Sequence, residues 1–450
     1  KLIFSGFKVA VCEQVEDPLE AKKRGPKAVV RRAVQRLVTP GTLTEETLLD
    51  ARQHTYLAAI AEAGGKLGLS WIEISTGEFL CQPIQADYLA AALARIGPGE
   101  VLVSDTLIEK PTLFETLADW RDKLSVLPPA RFDSANGEKR LQSLFGVKTL
   151  EAFGDFGRAE QAAAAALVDY VELTQKGQLP RIAHLKQLST TQVMEIDAAT
   201  RRNLELTLTL SGERKGSLLS IIDATLTGAG ARLLASHLAA PLREPAEIDT
   251  RLDMVQFFMD GERLCEDVRG GLKRCPDIAR ALSRLTLGRG GPRDLGAVRD
   301  GLAMSATLRA VLEDPTVSGV PQGIEAAVRG LGHHGELIER LARALSPDLP
   351  LYVRDGGFIA EGYAAELDQF RLLRDESRRL IAGLQSRYVE ATGISALKVK
   401  HNNVLGYFVE VPAKHGDTVP CGPEDAFIHR QTMANAMRFS TIELNELEQK

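Results

Sequence analysis

Two lysines and an asparagine alternate in the short stretch KVKHN, which begins at Lys398. If this stretch is a β-strand, Lys398, Lys400 and Asn402 share one face, while Val399 and His401 share the other. Two ammonium groups and an amide on one face suit contacts with phosphate groups. Further polar side chains could extend this face: Asn403, Arg430, Asn435 and Arg438. The alternative is a solvated strand edge that lysines protect from pairing with another strand.

A long helical run precedes this stretch and would have to position it. Residues Tyr363–Thr392 are mostly good helix formers, and at about 1.5 Å per residue they would span roughly 45 Å. The middle part, Arg374–Arg379, is wholly polar, which is typical of a helix that crosses solvent between two packed regions. Gly393 would end the helix. The pattern predicts a rigid shaft with a small β tip; an ordinary bundle helix followed by a hairpin is the alternative.

A second group of cations lies near the start of the sequence, where seven basic residues and no acidic residue fall between positions 22 and 36. They are Lys22, Lys23, Arg24, Lys27, Arg31, Arg32 and Arg36. Strands are predicted at Lys8–Cys12 and around Ala28–Val38, and the turn Thr39–Thr42 closes this unit. The basic cluster is either a phosphate-contacting patch or a solvated face.

Composition limits the class of protein. The 450 residues suggest two to four domains, and a net charge of −5 excludes a uniformly basic nucleic-acid-binding protein. Five scattered cysteines without a CxxC pair argue against a zinc site or a disulfide framework and favour a reducing cytoplasm. No apolar run approaches the roughly 18 residues of a membrane span, and no signal peptide is visible. The first residue is Lys1 and the last, Lys450, falls within a helical pattern, so we expect a part of a longer protein.

The pattern of secondary structure changes near residue 180. From about Gln53 to Lys176, strands alternate with helices, which predicts a compact α/β domain with a hairpin leading into a partly parallel sheet. The predicted elements there are Tyr56–Ile60, Leu67–Ile74, Gly77–Pro83, Ala86–Ile96, Glu100–Val103 and Ala159–Thr174.

From about Pro180 onward the periodicity is helical. The predicted helices are Ala229–Leu238, Asp249–Asp260, Glu262–Leu272, Ile278–Leu285, Arg293–Leu312, Ile324–Leu331 and Glu336–Leu345. Asp-Gly-Gly at Asp355 predicts a short hairpin of Leu351–Val353 with Phe358–Ala360. After the tip strands, Ala426–Met437 is predicted to be helical.

Catalytic and metal-binding motifs were not found. Ser211–Ser217 contains the residue types of a phosphate-binding loop in the wrong order, and no zinc-protease, nucleophile-elbow or paired Cys/His spacing occurs. Glu73, Glu78 and Asp87 could form a metal cluster, but each is explained as an exposed alternate strand position or the start of a helix. We therefore predict no active site in this chain.

Four sets of residues carry a resemblance to a known family. They are Asp197–Leu206 (DAATRRNLEL), Val11–Val15 with Thr39–Thr42, Leu351–Tyr363, and Leu397–Tyr407 with Arg430–Thr432. Together they resemble the MutS family of bacterial DNA mismatch repair proteins. Along the chain they follow the family's order, and the resemblance covers essentially the whole sequence.

The resemblance implies a multidomain fold, α/β plus all-α. Its parts would be the end of the mismatch-binding domain (1–37), a linker (38–52), an RNase H-like connector domain (53–176), the first half of a helical core with a long lever helix (185–393), and a small β-containing clamp (394–450).

The resemblance also implies a function. In the family, levers carry clamps across duplex DNA, a homodimer closes around it, and connector and core signal to MutL. The family has a C-terminal ABC-type ATPase domain, which binds ATP and Mg²⁺, and an upstream Phe-x-Glu motif that reads the mismatch. Neither has a counterpart in this sequence. Phe408-Val-Glu410 has the same spacing but is a coincidental match. We expect the chain itself to contact the DNA backbone non-specifically, without hydrolysing ATP or selecting a mismatch.

Two other functions are considered. The chain could be a protein-interaction module that docks MutL through the connector, without binding DNA itself. A nuclease in the RNase H-like domain would need a carboxylate cluster at strand ends, which the sequence does not show.

Overall fold

A computed structural model of the chain describes residues 2–25, 28–188, 192–402, 405–421 and 427–449. The chain forms two compact units, residues 1–358 and 359–450. In the described ranges no helix combines the length and the apolar character needed to cross a membrane. Lys27 and Asn403, both singled out from the sequence, lie outside the described residues.

The first unit begins with a two-stranded ribbon. Strand β1 (Val9–Gln14) pairs antiparallel with β2 (Arg32–Val38). Both strands were predicted, but their pairing was not. The basic segment between them is not only a loop, because Pro18–Lys23 forms helix α1.

The α/β region follows, and its described residues form a six-stranded sheet in the order β7-β6-β3-β4-β5-β8. The strands are β3 (Leu57–Ala63), β4 (Lys66–Glu73), β5 (Glu78–Ile84), β6 (Glu100–Ser104), β7 (Leu124–Leu127) and β8 (Lys186–Gln187). Strands β3, β4 and β5 form an antiparallel meander, whereas β6, β7 and β8 each run parallel to a neighbour. The predicted hairpin leading into a partly parallel sheet is confirmed.

Helices cover both faces of this sheet, and they are α2 (Ala86–Ile96), α3 (Asp105–Ile108), α4 (Pro111–Asp119), α5 (Ser134–Phe145) and α6 (Arg158–Thr174). Helix α6 packs its small alanines on one face, while Leu89 and Leu93 of α2 pack on the other. The approach of α6 is so close that a Cβ on Gly68 would lie 2.4 Å from backbone atoms of Ala159 and Glu160. Small residues on both sides therefore allow this contact.

The remainder of the first unit is helical. Its helices are α7 (Ala198–Asn203), α8 (Leu218–Ile222), α9 (Gly228–Ala239), α10 (Pro245–Asp260), α11 (Glu262–Leu272), α12 (Ile278–Thr286), α13 (Pro292–Leu312), α14 (Gln322–Gly330) and α15 (Gly335–Ala344). All seven helices predicted here are confirmed within a few residues. The predicted hairpin around Asp355 is wrong: Val353–Asp355 is a 3-10 turn, in which Gly356 N–H bonds back to the Val353 carbonyl.

The second unit is built on the long helix. Helix α16 (Ala365–Thr392) ends at Gly393, whose φ of 69° is the left-handed conformation expected of a stop. The other elements are β9 (Lys398–Asn402), β10 (Gly406–Pro412), β11 (Ile428–Thr432), β12 (Ala436–Ser440) and α17 (Ile442–Gln449). The described strands form a four-stranded antiparallel sheet in the order β11-β12-β10-β9.

Two expectations about this unit are wrong. Ala426 lies outside the described residues, and the remainder of the predicted helix Ala426–Met437 contains β11 and the start of β12. It joins the sheet because β12 pairs with β10 and β11 pairs with β12. The apolar residues of the first half of α16 were expected to pack, yet Phe370 and Leu373 are exposed, at 68% and 59%. The buried residues of α16 are Leu384 and Tyr388, both in its second half.

A buried carboxylate joins the α/β region to the helical region within the first unit. Glu73 was expected to be exposed at a strand position, but it is fully buried. Its oxygens contact the His54 ring and Arg280 Nη2, the latter at 3.2 Å. Arg280, on α12, also donates to the backbone oxygens of Asp50 and Gln53, at 2.8 Å each. One ion pair therefore connects the sheet, the linker and the helices.

We expect Glu73→Gln to destabilise the first unit by about 3–5 kcal/mol, because it removes the closer and fully buried counter-charge of Arg280. Burial raises the pKa of Glu73, but the hydrogen bond from His54 and the charges of His54 and Arg280 hold it at about 2. Its stabilising contribution is therefore present above the ordinary pKa of 4.5 and is lost as the pH falls toward 2. The variant should lack this part of the acid dependence.

Urea unfolding at several pH values, followed by tryptophan fluorescence, measures this. Trp71 and Trp120 both lie in the α/β region, so the signal reports on the part that Glu73 holds. Glu115→Gln, an exposed charge change on α4, is the control. Equal stability of the two variants at pH 7 would contradict the assigned role of Glu73.

Candidate nucleic-acid interface

One face of the four-stranded sheet packs in the hydrophobic core of the second unit. Val409 and Phe439 are 0% and 1% exposed and pack with Leu384 and Tyr388 of α16. The Tyr388 hydroxyl lies 2.7 Å from Thr441 Oγ1. These contacts seat the sheet on the end of the long helix and leave its other face turned away from that core.

Strand pairing brings predicted cations together on this other face, the outer face. Lys398 is the register partner of Glu410, and Glu410 in turn is paired with Arg438. Lys400 is opposite Phe408 on the same face. The predicted alternation of β9 is confirmed: Val399 packs on the core, and His401 stacks edge-on against Tyr407.

Glu410 is the centre of the outer face. It accepts from Lys400 Nζ at 2.5 Å and from Arg438 Nε at 3.1 Å, and the Arg438 guanidinium lies 4.6 Å from the centre of the Phe408 ring. Among the described residues, no ion pair involves Lys398. Lys400 and Arg438 thus share one carboxylate, and Lys398 adds a third cation. The outer face therefore has an excess of positive charge and offers exposed ammonium groups to an anion.

The other predicted residues lie around this group or away from it. Arg430 Nε donates to Ser440 Oγ at 2.7 Å, at the irregularity where β11 pairs with β12. Asn402 Oδ1 accepts from Leu405 N at 2.8 Å and so supports the turn after β9. Asn435 is exposed in the turn between β11 and β12, where its carbonyl accepts from Ala413 N at 3.1 Å. Asn403 lies outside the described residues.

Sequence reasoning missed Glu410 and Phe408 as members of the outer face. A signal was present, because alternation along β10 places Phe408 and Glu410 on one face and Val409 and Val411 on the other. Phe408 is nevertheless only 2% exposed. The register between β9 and β10, which places Glu410 beside the lysines, could not be derived from that alternation.

The basic cluster of residues 22–36 is partly neutralised. Arg24 forms an ion pair with Glu16 at 2.5 Å, and Arg36 pairs with Glu45. Lys22 and Lys23 are exposed in the last turn of α1. The cluster thus keeps several accessible cations, Lys22 and Lys23 on α1 and Arg32 on β2.

Comparison with known protein families accounts for most of the sequence. MutS domain I matches residues 1–47, MutS domain II residues 55–183, MutS domain III residues 199–393, and MutS family domain IV residues 362–450. The four matches occur in consecutive order.

The chain belongs to the MutS family. A relative from Dinoroseobacter shibae, "DNA mismatch repair protein MutS", is 51% identical over 448 residues, which is 99% of this chain and 50% of the relative. Proteins with the same name from Ruegeria pomeroyi and Rhizobium meliloti are also 51% identical, over 99% and 100% of this chain. The chain spans about half the length of these MutS relatives. The resemblance inferred from the sequence motifs is confirmed.

The match to MutS family domain IV includes α16 and the whole four-stranded sheet. The outer face therefore belongs to a recognised MutS domain and is part of its sheet, not of an isolated loop.

The charge arrangement of the outer face makes a prediction for titration. The hydrogen bond from Lys400, supported by Arg438, lowers the pKa of Glu410 below its ordinary value although partial burial raises it. We expect Lys400→Met to raise the pKa of Glu410, because the first of these donors is removed. NMR titration of the glutamate side chains measures the shift. Lys414→Met, an exposed lysine of the same unit, should leave the Glu410 pKa unchanged; a similar effect of both variants would show that Lys400 has no specific role.

Proposed function

We propose that this chain supplies the DNA-clamping and scaffolding part of a MutS protein that acts in DNA mismatch repair. The observation that supports this most is the outer face: Lys398, Lys400 and Arg438 lie together on a sheet at the end of a 28-residue helix. A helix of that length spans about 42 Å, which suits an arm that reaches along or across a duplex.

In this proposal the domains keep the roles that the family suggests. Residues 1–37 end the mismatch-binding domain, 53–176 form an RNase H-like connector, 185–393 form the first half of the core with its lever, and 394–450 form the clamp. The full-length protein would act as a homodimer whose ATPase domain binds ATP and Mg²⁺, and it would signal to MutL.

The chemistry proposed for the outer face is contact with the phosphate backbone. Ammonium and guanidinium groups on a flat sheet attract phosphates at any sequence, so they position a protein on DNA without selecting bases. Glu410 limits this attraction because it already pairs with Lys400 and Arg438. Binding through this face should thus be weak, non-specific and strongly dependent on salt, which suits a clamp that has to move along DNA.

We expect the double change Lys398→Glu and Lys400→Glu, in a full-length MutS protein that carries this chain, to weaken duplex binding at low salt. Each lost phosphate contact should reduce the slope of log affinity against log salt by roughly 0.9. Fluorescence anisotropy with a matched homoduplex, measured from low to moderate salt, tests this. Unchanged affinity and slope at low salt would refute the assignment of the clamp.

Two matched variants sharpen this test. Lys414→Glu makes the same kind of charge reversal at an exposed position of the same unit and should have a smaller effect. Glu410→Gln removes the carboxylate that neutralises Lys400 and Arg438 and should strengthen duplex binding. If Glu410→Gln weakens binding, the outer face does not act as a phosphate-contacting surface.

A second candidate function, docking of MutL on the connector, is supported by exposed apolar side chains. Tyr88 on α2 and Phe114 on α4 are 53% and 64% exposed, on two helices that pack together on one side of the sheet. Exposed aromatic groups of this kind are often protein-docking sites.

We therefore expect Phe114→Ser, in the full-length protein, to reduce capture of MutL, because it removes the more exposed of the two rings. Pull-down with purified MutL, with ATP and with ADP, measures the effect. Leu173→Ser, on the other side of the sheet and 47% exposed, is the control. Equal capture by both variants in both nucleotide states would contradict docking at this surface.

A further inference from the structure

Unpaired buried polar atoms concentrate at one seam of the first unit, between α2 of the α/β region and α7 of the helical region. The described chain has seven buried side-chain nitrogen or oxygen atoms without a hydrogen-bond partner. Five of them belong to four residues that meet at this seam: Gln82, Arg95, Glu195 and Arg201. Buried polar groups normally form hydrogen bonds to protein, to water or to a bound ion. The clustering of these unpaired atoms therefore indicates a binding site.

The two arginines are held in place by their remaining contacts. Arg95 Nη2 donates to Gln82 Oε1 at 2.5 Å, and its guanidinium lies 5.5 Å from the centre of the Trp71 ring. Arg201 is only 7% exposed, and its Nη2 donates to the Ala239 carbonyl at 2.8 Å. Arg95 Nε and Arg201 Nε and Nη1 have no protein partner. Two anchored guanidinium groups thus present free N–H groups to the same seam.

The arginines repel each other, and the single carboxylate between them does not bond to either. Burial lowers the pKa of Arg201, the nearby charge of Arg95 lowers it further, and Glu195 acts in the opposite direction. The Glu195 Oε2 atom, although buried, accepts no hydrogen bond. The seam therefore has a net positive charge that the protein does not neutralise.

The kinds of unpaired atoms decide between water and an anion. Four are nitrogen donors (Gln82 Nε2, Arg95 Nε, Arg201 Nε and Nη1), and only Glu195 Oε2 is an acceptor. A water molecule donates as many hydrogen bonds as it accepts. Water in the seam would therefore add as many donors as acceptors and would not correct the excess of donors there. A tetrahedral oxyanion is rich in acceptors and has the charge that two arginines bind best.

The seam is also connected to an accessible space. Glu195 lines a cavity of about 950 Å³ together with Arg243, Lys66 and Tyr88. Arg243 and Lys66 are exposed there, so further positive charge lies along the approach. Glu195 therefore belongs both to this cavity and to the seam.

We propose that Arg95 and Arg201, with Gln82, form a binding site for a phosphate-class oxyanion at the junction of α2 and α7. The ligand is either free phosphate or the phosphate group of a small metabolite that fills the adjoining cavity. Because the site draws one arginine from each region, its occupancy strengthens the packing of the α/β region on the helical region. This site is separate from the outer face of the clamp and does not depend on DNA binding.

The test uses the 450-residue chain in a Trp120→Phe background, in which Trp71 is the remaining tryptophan. Inorganic phosphate is titrated at constant ionic strength with sodium chloride as the balancing salt, and Trp71 emission and the melting temperature are recorded. We expect a saturable change in emission and a rise in melting temperature. A response no different from that to chloride would show that the seam is filled by water and would overturn the proposal.

Variants locate the site. Arg201→Gln should weaken phosphate binding by about tenfold or more, as expected for a lost hydrogen bond to a charged group. Arg202→Gln, the same change at the next and exposed position of α7, should leave the affinity unchanged. Equal effects of the two variants would contradict the proposed site.

Glu195→Gln keeps the proposal testable if Arg201→Gln does not fold. It removes the negative charge beside both arginines without removing a donor, so phosphate should bind more tightly; weaker or unchanged binding would overturn the proposal. Adenosine monophosphate distinguishes the sources of the anion. Tighter binding than that of phosphate supports a metabolite whose remainder occupies the cavity, and weaker binding supports free phosphate as the ligand.

Discussion

The architecture of the first unit depends on one constraint: a carboxylate buried in protein has to be surrounded by donors. Glu73 meets this constraint with His54, Ser75 and Arg280, and Arg280 reaches it from a helix more than two hundred residues later in the sequence. Glu100 does the same for the N-terminal ribbon, accepting from Lys8 at 3.2 Å, Tyr170 at 2.7 Å and Thr39. Removing the partners of either buried carboxylate would strongly destabilise the fold. The two carboxylates therefore hold the ribbon, the sheet, the linker and the helices in one arrangement.

The outer face of the second unit also contains a carboxylate paired with cations, but here the pair is exposed to solvent and not buried. Its central ion pair is accessible to solvent: the side chain of Lys400 is 49% exposed and that of Glu410 is 19% exposed. Exposed pairs of this kind contribute little stability, so Lys400 and Arg438 can exchange the carboxylate for another anion at small cost. The buried pair is suited to fixing a scaffold, and the exposed pair is suited to reversible contact with a polyanion. In the proposed function, the first unit is the rigid part and the second unit is the part that binds reversibly.

Sequence reasoning succeeded where local periodicity and tertiary environment agree. In helices such as Glu262–Leu272 and in the antiparallel meander before α2, the apolar residues recur with the period of the structure that forms. The motif Asp197–Leu206 was one of those that identified the family. It failed at Ala426–Met437, whose short runs carry no decisive period. That segment is extended because Phe427 and Phe439 are buried in the core under the sheet. It also failed at Glu73, which by alternation alone was indistinguishable from a solvated strand residue.

The amino-acid sequence by itself determined the family, the long helix with its glycine stop, and the alternation that places Lys398 and Lys400 on one face. It also determined the order of most strands and helices that precede the long helix. These properties follow from local spacing and from motifs that are contiguous in the chain. Only the tertiary structure decided that Glu410 lies between Lys400 and Arg438, that Arg280 neutralises Glu73, and that Arg95 and Arg201 meet at one seam. Each of these contacts depends on strand register or on packing between segments that are separated in the sequence. The free energy of bringing their charges together depends on burial, which the spacing of residues along the chain does not reveal.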